Sequence, residues 1–558
     1  EEQARTLHRI GLQLEQAFDG PQDIEWAMAP DGSMFIVQAR PISASGRGKA
    51  ERSAQPPEPR RVVWSNVNMN ENYPDPVTPF LYSVATDGYH HYFLNLARAF
   101  GVGRRRLREM DDLLRNTVGA QGGRLYYNLT NIHAAMRSSP FGEHLGASFD
   151  TFVGANQPTP DRSAESAGGA SVPTTERIRF TVRASWNFLF LDRRVRAFER
   201  TVDAYAKATH PDLLPDRSPD ELQAALSAFL DIRCHRWTNA SLADAASMIG
   251  YGLLKRLVER TCPDDQQEIQ ARLLQGMANL VSTRPVTELW RLSRVIREDP
   301  ELLRSFTDEE EQDLWQRLQE DQRFAAFRRE FDAFLEAWGF RCPGEMMMTV
   351  KSFQENPRAL LPLLKTYVAL KGDSPHAKLQ RQADERRLAT ARLYEALRSR
   401  RLFRFLPWPT MKPVGRAILT FTHRAIALRE RARLKQSLLY SRCRRVVLQL
   451  GEVLTARGFI RQPDDAFFLT HQELVRLMSG TLLHQDRVGD LVDMRRTEQR
   501  RQREETLPEN LILRPGEYAA PGAEEATEDR REARADADDL QGTAACGGSI
   551  TARATVLT

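Results

Sequence analysis

Cysteine, lysine and long apolar runs are all scarce in this chain of 558 residues. The five cysteines (Cys234, Cys262, Cys342, Cys443 and Cys546) are odd in number, far apart and never in C-x-x-C spacing. That excludes a disulfide framework and a zinc-ribbon site and fits a reducing compartment. No stretch approaches the roughly 18 consecutive apolar residues of a membrane helix, and the N-terminus lacks the basic-then-apolar layout of a signal peptide. A soluble, cytoplasmic protein with no membrane partner is predicted. Lysine occupies nine positions, so 70 of the 79 basic residues are arginine. With 74 acids the net charge is +5, too balanced to argue for a nucleic-acid partner. The Arg-rich stretches 398–404, 429–445 and 495–503 are interleaved with acids and lack an aromatic platform, so they are expected to be solvated helix faces. An Arg-rich RNA-binding module is the rival reading, and it would show steeply salt-dependent binding.

What is present is enough apolar sequence, 41%, for several cores, over a length that calls for more than one domain. The chain opens at Glu1 inside an amphipathic helix and reads as a piece of a longer protein. Residues 44–61 are rich in Ser, Gly and Pro, as a linker would be, and 514–541 are dense in acids, as a solvated tether would be. Residues 154–173 read as a surface excursion. Between these the pattern is helical. Leu222, Leu226, Phe229 and Leu230 follow a 3.6-residue period, as do Phe327, Phe331, Phe334, Leu335 and Trp338, and Val446, Val447, Leu450, Val453 and Leu454. The fold class predicted is mainly α with a small α+β piece.

The segment 21–42, PQDIEWAMAPDGSMFIVQARPI, carries the chemistry. Two alternating runs flank Pro30-Asp31-Gly32 and predict a β-hairpin. A two-residue turn at Asp31-Gly32 sets Glu25 opposite Gln38, Asp23 opposite Arg40 and Ala27 opposite Ile36. The other face, Ile24, Trp26, Met28, Phe35, Val37 and Ala39, is apolar and is expected to pack on a core. A carboxylate, an amide oxygen and a guanidinium side by side suit a magnesium nucleotide, since Mg²⁺ takes hard oxygen ligands and arginine pairs with phosphate. A solvated Asp23–Arg40 ion pair beside surface polar residues is the bland alternative.

PQDIEWA followed by FIVQARPI resembles the last strands of the ATP-grasp domain in the family of phosphoenolpyruvate synthase, pyruvate phosphate dikinase and rifampicin phosphotransferase. The resemblance implies that Glu25 and Gln38 hold Mg²⁺ on ATP and that Arg40 touches its phosphates. Trp64-Ser65-Asn66 through Glu71, Pro74, Val77, Thr78 and Pro79 is similar to the entry of that family's substrate domain. Arg429-Glu430 with Arg433, and Asp464-Asp465 through Phe467, Phe468, Leu469, Thr470, Glu473 and Leu474, resemble its closing helices. Residues 542–557 resemble the first strand of the swivelling phosphohistidine domain, with Cys546 and Ala552 replacing a Ser and a Gly of its pattern. The resemblance therefore divides the chain into an ATP-grasp end (1–43), linker (44–61), helical acceptor-binding domain (62–513), tether (514–541) and the start of a β/β/α phosphohistidine domain (542–558).

In that family a histidine on the swivelling domain takes a phosphoryl group from ATP and carries it to a small-molecule acceptor, pyruvate or a rifamycin-like compound. The carrier histidine belongs in a Gly-Gly-x-x-Ser-His setting, and Ser-His occurs nowhere in this sequence. The expectation is an enzyme fragment inactive on its own, with no catalytic residue among 1–558. The alternative is a non-catalytic helical protein that binds a small ligand on the same scaffold. Arg341 and Glu345 fall where the family has a Gly-His-Arg-Gly-x-x-Glu run near the acceptor. They are candidate substrate residues, or else an ion pair at a helix junction. His90, His91 and His133 have no carboxylate at readable spacing and read as structural, and Cys342 lacks an activating histidine.

Overall fold

The computed structural model describes residues 2–17, 22–28, 34–41, 61–153, 173–263, 266–277, 280–370, 374–398 and 410–519. The chain divides into two compact units, Glu1–Arg60 and Arg61–Thr558. Residues 44–60 of the predicted linker (44–61), residues 154–172 of the excursion (154–173) and the strand at 542–558 lie outside the described residues.

In the first unit, helix Glu2–Ala17 precedes an antiparallel pair, β1 (Gln22–Met28) and β2 (Met34–Pro41). Asp23 pairs with Arg40 and Glu25 with Gln38, as the turn chemistry predicts. Beyond Glu25 the register slips: Trp26 pairs with Ile36 and Ala27 with Phe35. The pairing of Ala27 with Ile36 is therefore wrong. A bulge leaves Val37 as the extra residue of β2, and each pair on its far side shifts by one. The expectation of a packed apolar face is also wrong. Trp26, Met28, Phe35 and Val37 are 46, 48, 59 and 66% exposed, because the described part of this unit supplies one helix and no second layer to cover them.

The second unit is helical around a small sheet. Its strands are β3 (Val62–Ser65), β4 (Val118–Gln121), β5 (Arg124–Asn128) and β6 (Asn510–Leu513), in the order β4-β5-β3-β6 and antiparallel at every pairing. Gly122 and Gly123 link β4 to β5 with φ of 50 and 73°, the positive values a tight hairpin turn needs at both central positions. β3 pairs with β6, Val62 opposite Leu513, so the sheet joins the first and last described strands of this unit. Residues 514–519, expected in the tether, continue the fold: Ala519 is buried beside Tyr126, Leu507 and Leu511, and its amide donates to Gln121 Oε1 at 3.1 Å.

A 45-residue helix, Lys412–Ala456, runs about 67 Å at 1.5 Å per residue and is the spine of the unit. Helices Leu191–Ala208, Pro219–Cys234 and Thr238–Thr261 pack along it. The predicted periodicities become buried faces: Leu222, Leu226 and Phe229 on one helix and Val446, Val447, Leu450 and Leu454 on the spine share one core. Phe327, Phe331 and Phe334 instead belong to a separate core formed by residues 289–368. The arginines of the spine are not simply solvated. Arg431 ties it to Glu199 with bonds of 2.8 and 2.6 Å, and Arg444 lies in the interior, 3.1 Å from both oxygens of Glu355. No helix among the described residues is long and apolar enough to cross a membrane.

Candidate functional site

The second unit contains a cleft lined by aromatic and charged side chains. Helix Pro79–Ala99 lines it with Tyr89, Tyr92, Phe93 and Leu96, the i, i+3, i+4, i+7 set that shares one helix face. Tyr127 from β5 and Phe149 from helix Gly142–Val153 extend the aromatic wall, their rings 5.8 Å apart at 75°. Tyr127 Oη donates to Tyr89 Oη at 3.4 Å. Trp237, Asp244, Ala245 and Met248 enter from the start of helix Thr238–Thr261, and Met346 comes from the loop after helix Ala325–Trp338.

The spine completes the cleft with Arg429, Arg433 and Gln436, again one face. Arg429 Nε lies 3.2 Å from Asp244 Oδ1, and Arg433 Nη2 donates to Asn72 Oδ1 at 3.2 Å. Burial pushes the Asp244 carboxyl above its ordinary range, against the pull of Arg429 and Arg433 and of a bond from Tyr92. Burial and then the neighbouring Asp244 hold Tyr92 well above the usual phenol range, so it remains a neutral donor. Arginine stays charged at any working pH. The cleft thus combines an aromatic wall, two guanidiniums one helical turn apart and a carboxylate that gains a proton more readily than an exposed one.

Arg341 and Glu345 are brought together: Arg341 Nε donates to Glu345 Oε1 at 2.6 Å, and Ser437 Oγ on the spine donates to Oε2 at 2.7 Å. Their pairing fits the helix-junction reading, and it orients Met346 into the cleft from the next position in the chain. Cys342 is a free thiol that burial pushes up to about 11, which leaves it unreactive. Two of the three histidines do have carboxylate partners, distant in sequence, His90 with Asp111 at 3.0 Å and His133 with Asp150 at 2.6 Å, while His91 Nδ1 bonds the Asp87 carbonyl at 2.8 Å. Among the described residues no group of His, Cys, Asp and Glu is arranged to hold a metal ion. The side chains of Glu25, Gln38 and Arg40 lie outside the described residues; their backbone register is what the structure gives.

Of the cleft residues, only Arg429 and Arg433 stood out in the sequence. Asp244 had a readable signal, a lone acid in the otherwise small or apolar run from Ala240 to Ala246. Arg233 and Tyr127 had none, because each reaches the cleft from its own element.

The cleft gathers an aromatic wall, two guanidiniums and a carboxylate in one place, and sequence comparison relates the chain to known proteins. Residues 240–430 match the family described as rifampicin phosphotransferase fourth domain, and residues 1–60 match pyruvate phosphate dikinase, AMP/ATP-binding domain. The two matches support a relationship to the PEP-utilising enzymes. It is 25% identical over 508 residues to a rifampicin phosphotransferase of Streptomyces sp, covering 85% of this chain and 50% of that protein. It is 24% identical over 602 residues to the prodigiosin synthesizing transferase PigC of Serratia marcescens, covering 100% and 61%. A phosphoenolpyruvate synthase of Aeropyrum pernix shares 36% identity over 71 residues, 12% of this chain and 9% of that protein. The chain thus spans half to three-fifths of the length of the relatives that match most of it.

Proposed function

We propose that this chain is the acceptor-binding part, with one edge of the nucleotide site, of an ATP-dependent phosphotransferase that relays a phosphoryl group through a histidine to a small molecule. The observation that carries the reading is the placement of Arg429, Arg433 and Asp244 across a cleft from an aromatic wall. Phosphoryl transfer needs positioning and cationic groups at the oxygens where charge accumulates, and two guanidiniums on one helix face meet that need. Asp244, with its raised proton affinity, is placed to accept the proton of an acceptor hydroxyl as the phosphoryl group arrives. Tyr89, Tyr92, Phe93 and Tyr127 supply flat apolar area that fixes the acceptor while the three tyrosine hydroxyls orient it. Arg341 and Glu345 support this wall through Met346 and are assigned an indirect role.

At the hairpin, the Glu25–Gln38 pair lies two residues along the ladder from the Asp23–Arg40 pair, on the regular side of the bulge. A carboxylate and an amide oxygen are hard ligands, so Glu25 and Gln38 fit Mg²⁺, and Arg40 fits a phosphate. When bound, the ion would neutralise phosphate charge on ATP. A carrier histidine in a Ser-His setting is assigned to another part of the protein, because 1–558 has none. By this reading residues 1–558 alone bind ligand without turning it over, and cytoplasmic ATP is the donor.

The test is to incubate the full-length protein with radiolabelled ATP and Mg²⁺ and look for acid-labile, base-stable label on the protein. Rifampicin and pyruvate are then added in parallel as acceptor probes. Label that forms and discharges to one of them supports the proposal. If no acid-labile label forms, the relay is refuted and the chain is better described as a ligand-binding scaffold.

A further inference from the structure

Arg233 stands near the end of helix Pro219–Cys234 and lines the cleft, yet is only 2% exposed. Its Nε donates to Tyr440 Oη at 3.0 Å and its Nη1 to the Gly88 carbonyl at 3.0 Å. The guanidinium carbon lies 4.8 Å from the centre of the Trp237 ring and 5.6 Å from that of Tyr89. Every one of these partners is neutral. No ion pair joins Arg233 to a carboxylate among the described residues, and Nη2 makes no hydrogen bond within them. Arg444, buried to a similar degree, shows the usual solution: Glu355 meets it at 3.1 Å.

An ionised group taken from water without a counter-charge is strongly unfavourable, and ring faces offset only part of that. Arginine cannot escape by losing its proton. The fold nevertheless makes room for it. A Cβ on Gly88, in the middle of helix Pro79–Ala99, would stand 2.5 Å from the Arg233 guanidinium carbon, so the seat exists only because position 88 has no side chain. Around the cleft three guanidiniums, those of Arg233, Arg429 and Arg433, face a single lining carboxylate, Asp244. The missing counter-charge is what a ligand can bring.

We infer that Arg233 recognises an anionic group, a carboxylate or another acidic oxygen, carried on the conjugated ring system of the ligand that fills this cleft. The inference rests on the cleft being the acceptor site. It narrows the acceptor class to aromatic or conjugated anions, anchored by Arg233 and bearing elsewhere the hydroxyl that faces Arg429 and Arg433.

Two probes with the same rings test it: 8-anilinonaphthalene-1-sulfonate and the uncharged N-phenyl-1-naphthylamine. Both are titrated calorimetrically into the full 558-residue chain. Met248→Trp, which fills the cleft, identifies the cleft-bound component as the part it abolishes. The anionic probe is expected to bind there about tenfold more tightly or better, the discrimination a charge-assisted bond gives. Arg233→Met should bring the two affinities together while leaving the uncharged probe within about twofold, a split that loss of packing alone would not produce. Gly88→Ala keeps the charge but displaces it, and should reduce the preference likewise. Should Arg233→Met fail to fold, the wild-type ratio and Gly88→Ala decide. Equal wild-type affinities, or a preference that survives in folded Arg233→Met, overturn the inference and leave the acceptor site standing. If Met248→Trp removes no binding of either probe, the acceptor site and the inference fall together.

Discussion

Removing Glu355 should loosen the loop that delivers Met346 to the cleft, by an amount the structure bounds. Glu355 and Arg444 have side chains 8 and 4% exposed, so their attraction is little screened. The guanidinium bonds both carboxylate oxygens at 3.1 Å and donates to the Met348 carbonyl at 2.6 Å, while Glu355 Oε2 also accepts from Ser352 N and Oγ at 3.1 and 3.0 Å. Deleting one partner of such a pair leaves a buried charge and costs about 3–5 kcal/mol. The bonds from Phe353 N to Arg341 O and from Gln354 N to Gly339 O, at 3.0 and 2.7 Å, fold the same loop back on itself and report its opening. At about 1.4 kcal/mol per tenfold, Glu355→Ala should speed amide hydrogen exchange at these two positions by roughly two to three and a half powers of ten. Replacing both buried partners, Glu355→Met with Arg444→Met, should accelerate it less than Glu355→Ala alone, because no unpaired buried charge remains; Arg445, which lies 3.5 Å from Glu355, is partly exposed to solvent. Exchange unchanged in Glu355→Ala, or faster in the double variant than in the single, would refute this reasoning.

The same pair predicts a pH response of definite sign. Burial tends to raise the Glu355 carboxyl, but bonds from Arg444 and Ser352 outweigh it and hold the group below its ordinary range. A depressed carboxylate contributes stability that is complete above its unfolded value, about 4.3, and is lost as pH falls through the folded one. Protection of residues 353 and 354 should therefore fall below about pH 4, and Glu355→Gln should flatten that dependence.

Three further outcomes are expected. Asp244→Asn in the full-length protein should lower acceptor turnover by about 10²–10⁴-fold and abolish the acid limb of its pH–rate profile, a limb displaced upward in the wild type by burial of Asp244; an unchanged profile would remove Asp244 from proton transfer. Glu25→Ala or Gln38→Ala should weaken Mg²⁺-dependent ATP binding about tenfold or more by calorimetry while leaving aromatic ligands in the cleft unaffected, and intact nucleotide binding would dissociate the hairpin from ATP. Gly451→Ala should destabilise the spine's C-terminal end by about 1–3 kcal/mol in urea melts, because its Cβ would fall 2.2 Å from the Pro463 carbonyl oxygen; a shift within about 0.5 kcal/mol would show that the 463–468 turn yields freely.

The parts of the fold legible in the sequence are those fixed by local rules. The faces of 222–230 and 446–454 follow from a 3.6-residue period that holds whatever the partner is, and both emerged as helices in a shared core. The first four pairs of the hairpin ladder follow from alternation and a turn. The bulge at Val37 does not, since alternation continues through it at the level of composition and only the partner strand shows the slip. The sheet of the second unit was hidden for another reason: its strands run four or five residues, too few for alternation to register, and β3 at Val62–Ser65 finds its partner β6 only at Asn510–Leu513. Gly122-Gly123 between two short apolar runs was a usable hairpin signal that the helical reading passed over.

The site divides along the same line. Motif resemblance singles out residues whose neighbours in sequence are also their neighbours along one ladder, as at Glu25, Gln38 and Arg40. The cleft is built the opposite way: Tyr89, Tyr127, Arg233, Asp244 and Arg429 come from five separate elements, and no window of the chain holds more than two of them. Arg233 makes the point sharpest. In sequence it is one of 70 arginines, beside a cysteine, at the end of an unexceptional helix. Only the packing shows that Gly88 has been hollowed out to receive it and that Trp237, Tyr89 and Tyr440 surround it without a counter-charge. A charge left uncompensated inside a cleft is a property of three-dimensional neighbours, and it is the feature here that most narrows what the protein binds.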